Sequence, residues 1–223
     1  MITAFQQILD LFIEIEKNLP QKADIFAIGG MVLLHQGLKP ATKDIDLVVA
    51  AKDQFTLLEA TLKEIGFHGK IPTPLYARFN ISQIFMREDF RIDLFQRAVC
   101  GEFFLSPGMR QRAIRIMDSD KLSLFLCSNE DILLFKSMTE REGDLDDCLA
   151  LAKRGLQWNV ILEELRYQMK HTGNKVWVTW VGERLDLLQE RGLNIPIMPE
   201  IDALRFEYYE EWERKLSKDS TSN

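Results

Sequence analysis

The sequence contains few of the residues that build metal centres or disulfide frameworks. Only three cysteines occur among 223 residues, they are widely spaced, and no CxxC pair is present. The three histidines, His35, His68 and His171, are far apart and show no mutual ligand spacing. These absences argue against a Cys/His metal site and predict reduced thiols, with the histidines at surface or helix-capping positions.

Long apolar segments and a basic charge balance are missing as well. No stretch approaches the roughly 20 apolar residues of a membrane helix, and the first apolar segment has no basic start and carries acidic residues, so neither a membrane span nor a signal peptide is predicted. The formal net charge of −6 argues against a broad nucleic-acid surface. We expect a cytoplasmic protein without a membrane partner.

Hydrophobic periodicity divides the chain into a mixed front half and a helical back half. Together the two halves predict an α+β fold, in which a mixed β-sheet flanked by helices (1–128) precedes a C-terminal helical bundle (129–223). Helices are predicted at 2–18, 31–37, 53–67, 129–141, 144–154, 158–170, 174–190 and 199–216. Strands are predicted at 24–28, 44–50, 77–81, 83–87, 90–95, 113–117 and 122–127.

Two apolar stripes follow helical spacing in the back half of the chain. Stripes of this kind are usually core and only rarely platforms for base stacking, so we predict that both are buried. The first stripe comprises Trp177, Trp180, Val181, Leu185 and Leu188, and the second comprises Ile201, Leu204, Tyr208, Trp212 and Leu216.

Two aspartates, Asp44 and Asp46, interrupt a predicted strand that is otherwise apolar. Alternate side chains of an extended strand share a face, so both carboxylates project the same way. At about 4 Å and an effective dielectric near 20, they would repel by on the order of 4 kcal/mol. Mg²⁺ would remove this repulsion, because it takes hard oxygen ligands from carboxylates and phosphates. Asp93, in the middle of another predicted strand, is the third candidate ligand.

A glycine pair, Gly29 and Gly30, ends the first predicted strand and opens a helix. Backbone N–H groups at such a position favour a phosphate oxygen, and bulkier side chains would block its approach. Each signal has a structural alternative, since most glycine pairs are turns and an acid pair at a strand end can be a helix cap or a solvated edge. Their combination favours a phosphate and metal site.

This arrangement resembles the signature of the polymerase-β-type nucleotidyltransferases: GG, thirteen residues, Asp-Ile-Asp-Leu, and a later strand aspartate. The wording IGGMVLLHQG followed by TKDIDLVV is similar to the branch of minimal nucleotidyltransferases and abortive-infection (AbiEii-like) toxins. The resemblance implies a nucleotidyltransferase-like sheet in which Asp44 and Asp46 bind two Mg²⁺ ions, with Mn²⁺ as an alternative. It implies that Asp93 bridges a metal and activates the acceptor hydroxyl, and that Gly29 and Gly30 hold the triphosphate.

Many members of that branch carry an arginine in the loop before the aspartate pair. This chain has Lys39 and Lys43 there instead. A lysine offers a phosphate a point charge, whereas an arginine grips it with two parallel hydrogen bonds.

A second element lies in EDILLFKSMTEREGDLDDCLAL, where Lys136, Arg141, Asp144 and Asp147 match a lysine, an arginine and two aspartates that follow the core in the same branch. The resemblance implies that Lys136 meets a nucleotide phosphate. Alternatively, Lys136 is a surface lysine that lies along apolar neighbours. Asp144 would then be a helix N-cap, Asp147 a favourable first-turn acid, and Arg141 an ion-pair partner of one of them.

The activity that the resemblance implies is metal-dependent transfer of a nucleoside monophosphate (NMP) from a nucleoside triphosphate (NTP) to an acceptor hydroxyl, with pyrophosphate leaving. The acceptor could be tRNA or another RNA, a protein or a small molecule. One role for such an enzyme is the toxin of a toxin–antitoxin pair, with a cognate antitoxin as partner. The alternative is a catalytically silent module of the same fold that binds a nucleotide or a partner.

Overall fold

The computed structural model describes residues 1–71 and 80–220 of the chain. Its helices are α1 (Phe5–Asn18), α2 (Gly30–His35), α3 (Lys52–Glu64), α4 (Pro107–Arg112), α5 (Asn129–Ser137), α6 (Glu142–Arg154), α7 (Trp158–Thr172), α8 (Trp177–Glu190) and α9 (Met198–Ser220). Its strands are β1 (Ala23–Ile28), β2 (Ile45–Val49), β3 (His68–Lys70), β4 (Gln83–Arg87), β5 (Phe90–Gln96), β6 (Ala98–Val99), β7 (Phe103–Phe104), β8 (Ile114–Asp118) and β9 (Leu122–Leu126).

Seven of these strands form one mixed sheet in the order β3-β4-β5-β2-β1-β9-β8. The pairs β2–β5 and β1–β9 are parallel, whereas β1–β2, β3–β4, β4–β5 and β8–β9 are antiparallel. The α+β architecture predicted from the sequence, a mixed sheet with flanking helices and a helical C-terminal region, is confirmed.

The first helices cover one face of this sheet. Arg87, at the end of β4, donates hydrogen bonds of 2.7 Å to both carboxylate oxygens of Glu14 in α1. Two residues earlier Phe85 pairs with Ile92 of β5, and both side chains are fully buried. Because side chains alternate along a strand, Asp93 points away from this face. The sheet therefore has an apolar face under α1 and an opposite face that carries Asp93.

The chain divides into two compact units, Met1–Phe135 and Lys136–Asn223. Most of α5 belongs with the first unit: Arg112 contacts Asp131 at 2.6 Å, and the rings of Phe103 and Phe135 lie 5.6 Å apart. The boundary inferred from the sequence, between 128 and 129, falls before this helix. Periodicity detects a helix but does not tell which unit buries its apolar side.

Several local features differ from the sequence-based expectations. The first helix begins at Phe5 instead of residue 2, because Ile2 forms an isolated bridge with Thr42, with two backbone hydrogen bonds of 2.9 Å. The short elements β3, β6, β7 and α4 were not predicted. The predicted strand at 77–81 lies mostly outside the described residues. No helix in the described part of the chain is long and apolar enough to cross a membrane.

The two predicted apolar stripes of the second unit differ in their burial. The first is core, as Trp177 is 1% exposed and Val181, Leu185 and Leu188 are fully buried, although Trp180 is 39% exposed. The second is core only at Ile201. Trp212 and Leu216 are 53% and 47% exposed, so the prediction that they are buried is wrong. Helical spacing identifies a shared side of a helix, but burial also requires a neighbour on that side.

Candidate active site

Two of the predicted site aspartates lie side by side in the centre of the sheet. Asp46 of β2 is the register partner of Asp93 of β5, and on its other side Asp46 is paired with Ile28, the last residue of β1. Adjacent strands are about 4.8 Å apart, and register partners share a face, so the two carboxylates project together. Asp93 is only 3% exposed and Asp46 is half-buried. Ionised groups with this little water require polar or charged partners.

Asp44 lies immediately before β2, which begins one residue later than predicted. Its side chain is half-buried, and its carbonyl oxygen accepts a 2.9 Å hydrogen bond from the Thr42 hydroxyl. Thr42 is in turn bridged to Ile2. The segment before the strand is thus tied to the start of the chain, and Lys43 is exposed within it.

The glycine pair sits directly against this aspartate-bearing segment. Gly29 adopts φ +68 and ψ −143, a backbone conformation that residues with a side chain rarely adopt. A Cβ atom at Gly29 would lie 2.3 Å from Oδ2 of Asp46, and one at Gly30 would lie 2.4 Å from Oγ1 of Thr42. The space of the missing side chains is filled by Asp46 and Thr42. The glycines therefore allow the turn after β1 to approach Asp46 and Thr42 closely. This close approach was not predicted from the sequence.

We expect Gly29→Ala to displace the Asp46 carboxylate and to destabilise the fold by about 1–3 kcal/mol, since the new methyl group adds a collision to backbone strain. Gly37→Ala is the matched control, because Gly37 has φ +71 but no atom within 4 Å of the added Cβ. Thermal unfolding of both variants would measure the difference. Equal losses of stability would contradict the close packing of Asp46 on Gly29.

Arg91 holds the Asp93 carboxylate in place. Its Nε and one terminal nitrogen each donate a 2.7 Å hydrogen bond to a different oxygen of Asp93. The side chain of Arg91 is 24% exposed and that of Asp93 is 4% exposed, so the charge-assisted pair is largely protected from water. Arg91 was not predicted from the sequence. Strand alternation could have found it, because residues 91 and 93 must share a face.

The acid pair is compatible with a divalent cation. An ionised carboxylate offers two oxygens with about four lone-pair sites, and hard oxygen atoms of this kind are the ligands that Mg²⁺ prefers. No three His, Cys, Asp or Glu side chains within residues 1–71 and 80–220 converge closely enough to hold a metal by themselves. Mg²⁺ is typically held by one or two carboxylates and completed by water and substrate phosphate, so Asp46 and Asp93 fit it as a pair.

Lys136, in the second unit, is buried in a carboxylate cluster. It is 7% exposed, and its Nζ lies 2.7 Å from an oxygen of Asp144 and 2.7 Å from one of Asp147. Asp144 also accepts hydrogen bonds from Arg141 and from Thr139. The alternative of a surface lysine is therefore wrong. So is Asp144 as an N-cap, because α6 begins at Glu142 with Arg141 at the capping position. The expected pairing of Arg141 with one of the acids is confirmed.

Ion pairing within this cluster outweighs the effect of burial on the pKa values of Lys136 and Asp144. Removal from water alone would lower the pKa of Lys136, but Asp144 and Asp147 outweigh this effect and raise it. Burial alone would raise the pKa of Asp144, but Lys136, Thr139 and Arg141 together lower it. At neutral pH Lys136 and Asp144 are thus a buried ion pair, and each depends on the other.

The cysteine and histidine side chains of the described residues differ in their exposure to water. The cysteines, all within the described residues, are buried and form no disulfide. Burial raises the pKa of Cys148 to about 12 and that of Cys127 well above its ordinary value, so both stay protonated at neutral pH. His35, His68 and His171 are exposed, as predicted.

Comparison with solved structures indicates the fold of a nucleotidyltransferase. The crystal structure of ANT(2″)-Ia in complex with adenylyl-2″-tobramycin aligns with a TM-score of 0.51 and 11% sequence identity, over 75% of this chain and 98% of that chain. The solution structure of the antibiotic-resistance factor ANT(2″)-Ia aligns over 93% of this chain and 100% of that chain at 14% identity, but its TM-score of 0.40 is too low to support an argument.

Comparison of sequences identifies the family. No curated protein sequence matches the chain. A family model described as "Nucleotidyltransferase of unknown function (DUF6036)" matches residues 6–177, a range that contains Gly29, Gly30, Asp44, Asp46 and Asp93 as well as the Lys136 cluster. The chain therefore belongs to the DUF6036 family of nucleotidyltransferases.

Proposed function

We propose that this protein transfers an NMP from an NTP to an acceptor hydroxyl in a reaction that depends on a divalent cation. The observation that carries the proposal is the register pair of Asp46 and Asp93 on one face of the sheet, beside the close-packed Gly29 turn. Membership of a nucleotidyltransferase family supports the type of reaction. The AbiEii-like branch, a toxin role and a cognate antitoxin remain predictions from the resemblance.

In the proposed reaction the acceptor oxygen forms a bond to the α-phosphorus, and the bond from that phosphorus to the bridging oxygen breaks, releasing pyrophosphate. Asp44, Asp46 and Asp93 would hold Mg²⁺ or Mn²⁺, two ions in the full arrangement. When bound, the cations would neutralise phosphate charge and lower the pKa of the acceptor hydroxyl.

The protein's own groups would position the reactants. Asp93, fixed by Arg91, would accept the proton of the acceptor hydroxyl at a carboxylate oxygen. Gly29 and Gly30 would hold the triphosphate through the close approach that their missing side chains permit. Lys43, exposed in the segment before β2, could contact an outer phosphate as a point charge. The proposed phosphate contact of Lys136 would require release from its carboxylate partners.

An assay with four α-labelled NTPs tests the proposal and identifies the acceptor. The full chain is incubated with each NTP, with Mg²⁺ or with a chelator, and with one of three acceptor classes: total RNA including tRNA, total protein, or a small polyol such as tobramycin. We expect label in one class, only with Mg²⁺. Nucleotide binding without label in any class would favour the silent module.

Arg91→Lys is expected to lower NMP transfer by about 10–100-fold and to raise the Mg²⁺ concentration needed for half-maximal rate. Lysine keeps the positive charge but replaces the two-pronged contact with a point charge, so Asp93 loses its fixed orientation. Arg115→Lys, at a surface pair with Asp118, is the matched control. An unchanged Mg²⁺ dependence in Arg91→Lys would argue against the positioning role.

A further inference from the structure

The last helix, α9, carries a line of exposed aromatic side chains. Phe206, Tyr209 and Trp212 are 65%, 48% and 53% exposed, and Leu216, 47% exposed, continues the line. Their spacing of three, three and four residues places them on one side of the helix. Isolated exposed apolar residues are ordinary, but a contiguous exposed aromatic patch marks an interaction surface. We name this line, Phe206, Tyr209, Trp212 and Leu216, the aromatic stripe.

The aromatic stripe continues a line along α9 that contacts its own unit near the start of the helix. Arg205 donates hydrogen bonds to Asp186 of α8 and to Asp202, and its side chain lies against Gly182 of α8. Further along, Glu211 forms an ion pair with Lys175. Arg205 lies four residues before Tyr209 and seven before Trp212, so it shares their side of the helix, whereas Glu211 lies on a different side. The exposed rings therefore extend the side that meets α8 beyond its anchor at Arg205.

An acidic rim runs along the aromatic stripe. In the sequence FEYYEEWER each of the three aromatic residues is followed directly by a glutamate, so Glu207, Glu210 and Glu213 form a parallel line displaced by about 100° around the helix. Glu207 and Glu213 are exposed, and Glu210 contacts Arg214 at 2.6 Å. The whole chain has a formal net charge of −6. A partner seated on the stripe would therefore meet a negative edge.

We propose that the aromatic stripe of α9 docks an amphipathic helix of a protein partner, one whose apolar side is flanked by lysine or arginine. An apolar partner face would cover the aromatic rings, and the flanking cations would pair with the rim. A second copy of this chain is a poorer occupant. In a two-fold antiparallel pair centred between residues 211 and 212, Glu210 of each copy would face Glu213 of the other, and such like-charge contacts oppose association.

The position of α9 makes this surface separate from the proposed chemistry. The family model ends at residue 177, before α9 begins at Met198. The aspartate pair lies in the first compact unit, whereas α9 belongs to the second. The proposal is therefore independent of the NMP-transfer activity and can fail or succeed without it.

A pair of synthetic peptides provides the test. The basic probe is a labelled helix of about 18 residues, five turns long, with leucine at i, i+3, i+4 and i+7 spacing and lysine on both flanks. The control peptide carries glutamate at every lysine position. Binding to the full-length chain is followed by fluorescence anisotropy. We expect the wild type to bind the basic probe at least about tenfold more tightly than the acidic one.

Variants locate the binding on α9. Trp212→Ala should weaken binding of the basic probe about 30-fold, as expected for a central aromatic anchor, whereas Trp180→Ala, at the 39% exposed tryptophan of α8, should not. Glu207→Lys with Glu213→Lys should reverse the preference between the probes. Equal binding of both probes, or equal binding by wild type and Trp212→Ala, would overturn the proposal. So would a wild-type dimer in sedimentation that Trp212→Ala makes monomeric, because a second copy would then be the occupant.

Discussion

Asp46→Asn is expected to lower the rate of NMP transfer by about 1,000-fold or more, equivalent to roughly 4 kcal/mol of transition-state stabilisation. Asparagine keeps the size of the side chain and one of its oxygens, so it should fit beside Gly29 as aspartate does. It removes the negative charge that would hold a divalent cation next to Asp93. The loss should therefore appear in kcat, while the melting temperature stays within a few degrees of the wild type.

Asp93→Asn provides a second test of the same site. It should abolish transfer to a similar extent, but it also weakens the contact with Arg91, so its melting temperature should fall below that of Asp46→Asn. Asp120→Asn, at an exposed residue between β8 and β9, is the matched control and should leave both quantities unchanged. Asp46→Asn with more than a tenth of the wild-type rate would remove Asp46 from the proposed site.

Lys136→Ala is expected to destabilise the protein by about 3–5 kcal/mol, because it leaves Asp144 and Asp147 buried without their shared cation. For a chain of this size that corresponds to a fall in melting temperature of roughly 10 °C. Lys153→Ala, at an exposed position on α6, provides the control. A nucleotide-binding role predicts a different pattern: a nearly unchanged melting temperature and a raised KM for the NTP.

The pH dependence of stability gives a second readout of the same cluster. The pKa of Asp144 is lowered in the folded protein, so its stabilisation is complete above the ordinary aspartate value of about 3.9 and is lost as pH falls through the lower folded value. The stability advantage of the wild type over Lys136→Ala should therefore shrink on acidification below about pH 4. An advantage independent of pH would argue that packing, and not the ion pair, is what the variant loses.

The centre of the sheet could be predicted from the sequence because its signals are local. β4, at Gln83–Arg87, matches the predicted strand, and β5 exceeds its prediction by one residue. Apolar alternation defines such strands, and an aspartate in the middle of one stands out against it. That β5 lies next to β2, with Asp93 opposite Asp46, does not follow from either strand alone, since strand pairing depends on contacts between distant segments.

The functions of Gly29 and Lys136 could not be derived in the same way. Position 29 requires a glycine because Asp46, seventeen positions later in the chain, packs against it. Lys136 follows an apolar helix segment, so an exposed lysine was a reasonable interpretation, and its burial depends on acids from the next helix. In each case the decisive neighbour comes from tertiary packing, which periodicity does not encode.

The exposure of the end of α9 could not be predicted from the sequence either. Its apolar residues have the spacing of a core stripe, and nothing in the sequence tells how far along the helix that side is covered. Arg205 lies against Gly182 of α8, whereas Trp212 and Leu216, on the same side of α9, are exposed.

The most direct test of metal-dependent NMP transfer compares NTP labelled at the α-phosphate with NTP labelled at the γ-phosphate, using the acceptor class identified in the transfer assay. We expect α-label to become attached to the acceptor, γ-label to be released in pyrophosphate, and both events to be lost in Asp46→Asn. Attachment of γ-label to the acceptor, or transfer of α-label by Asp46→Asn at the wild-type rate, would contradict it.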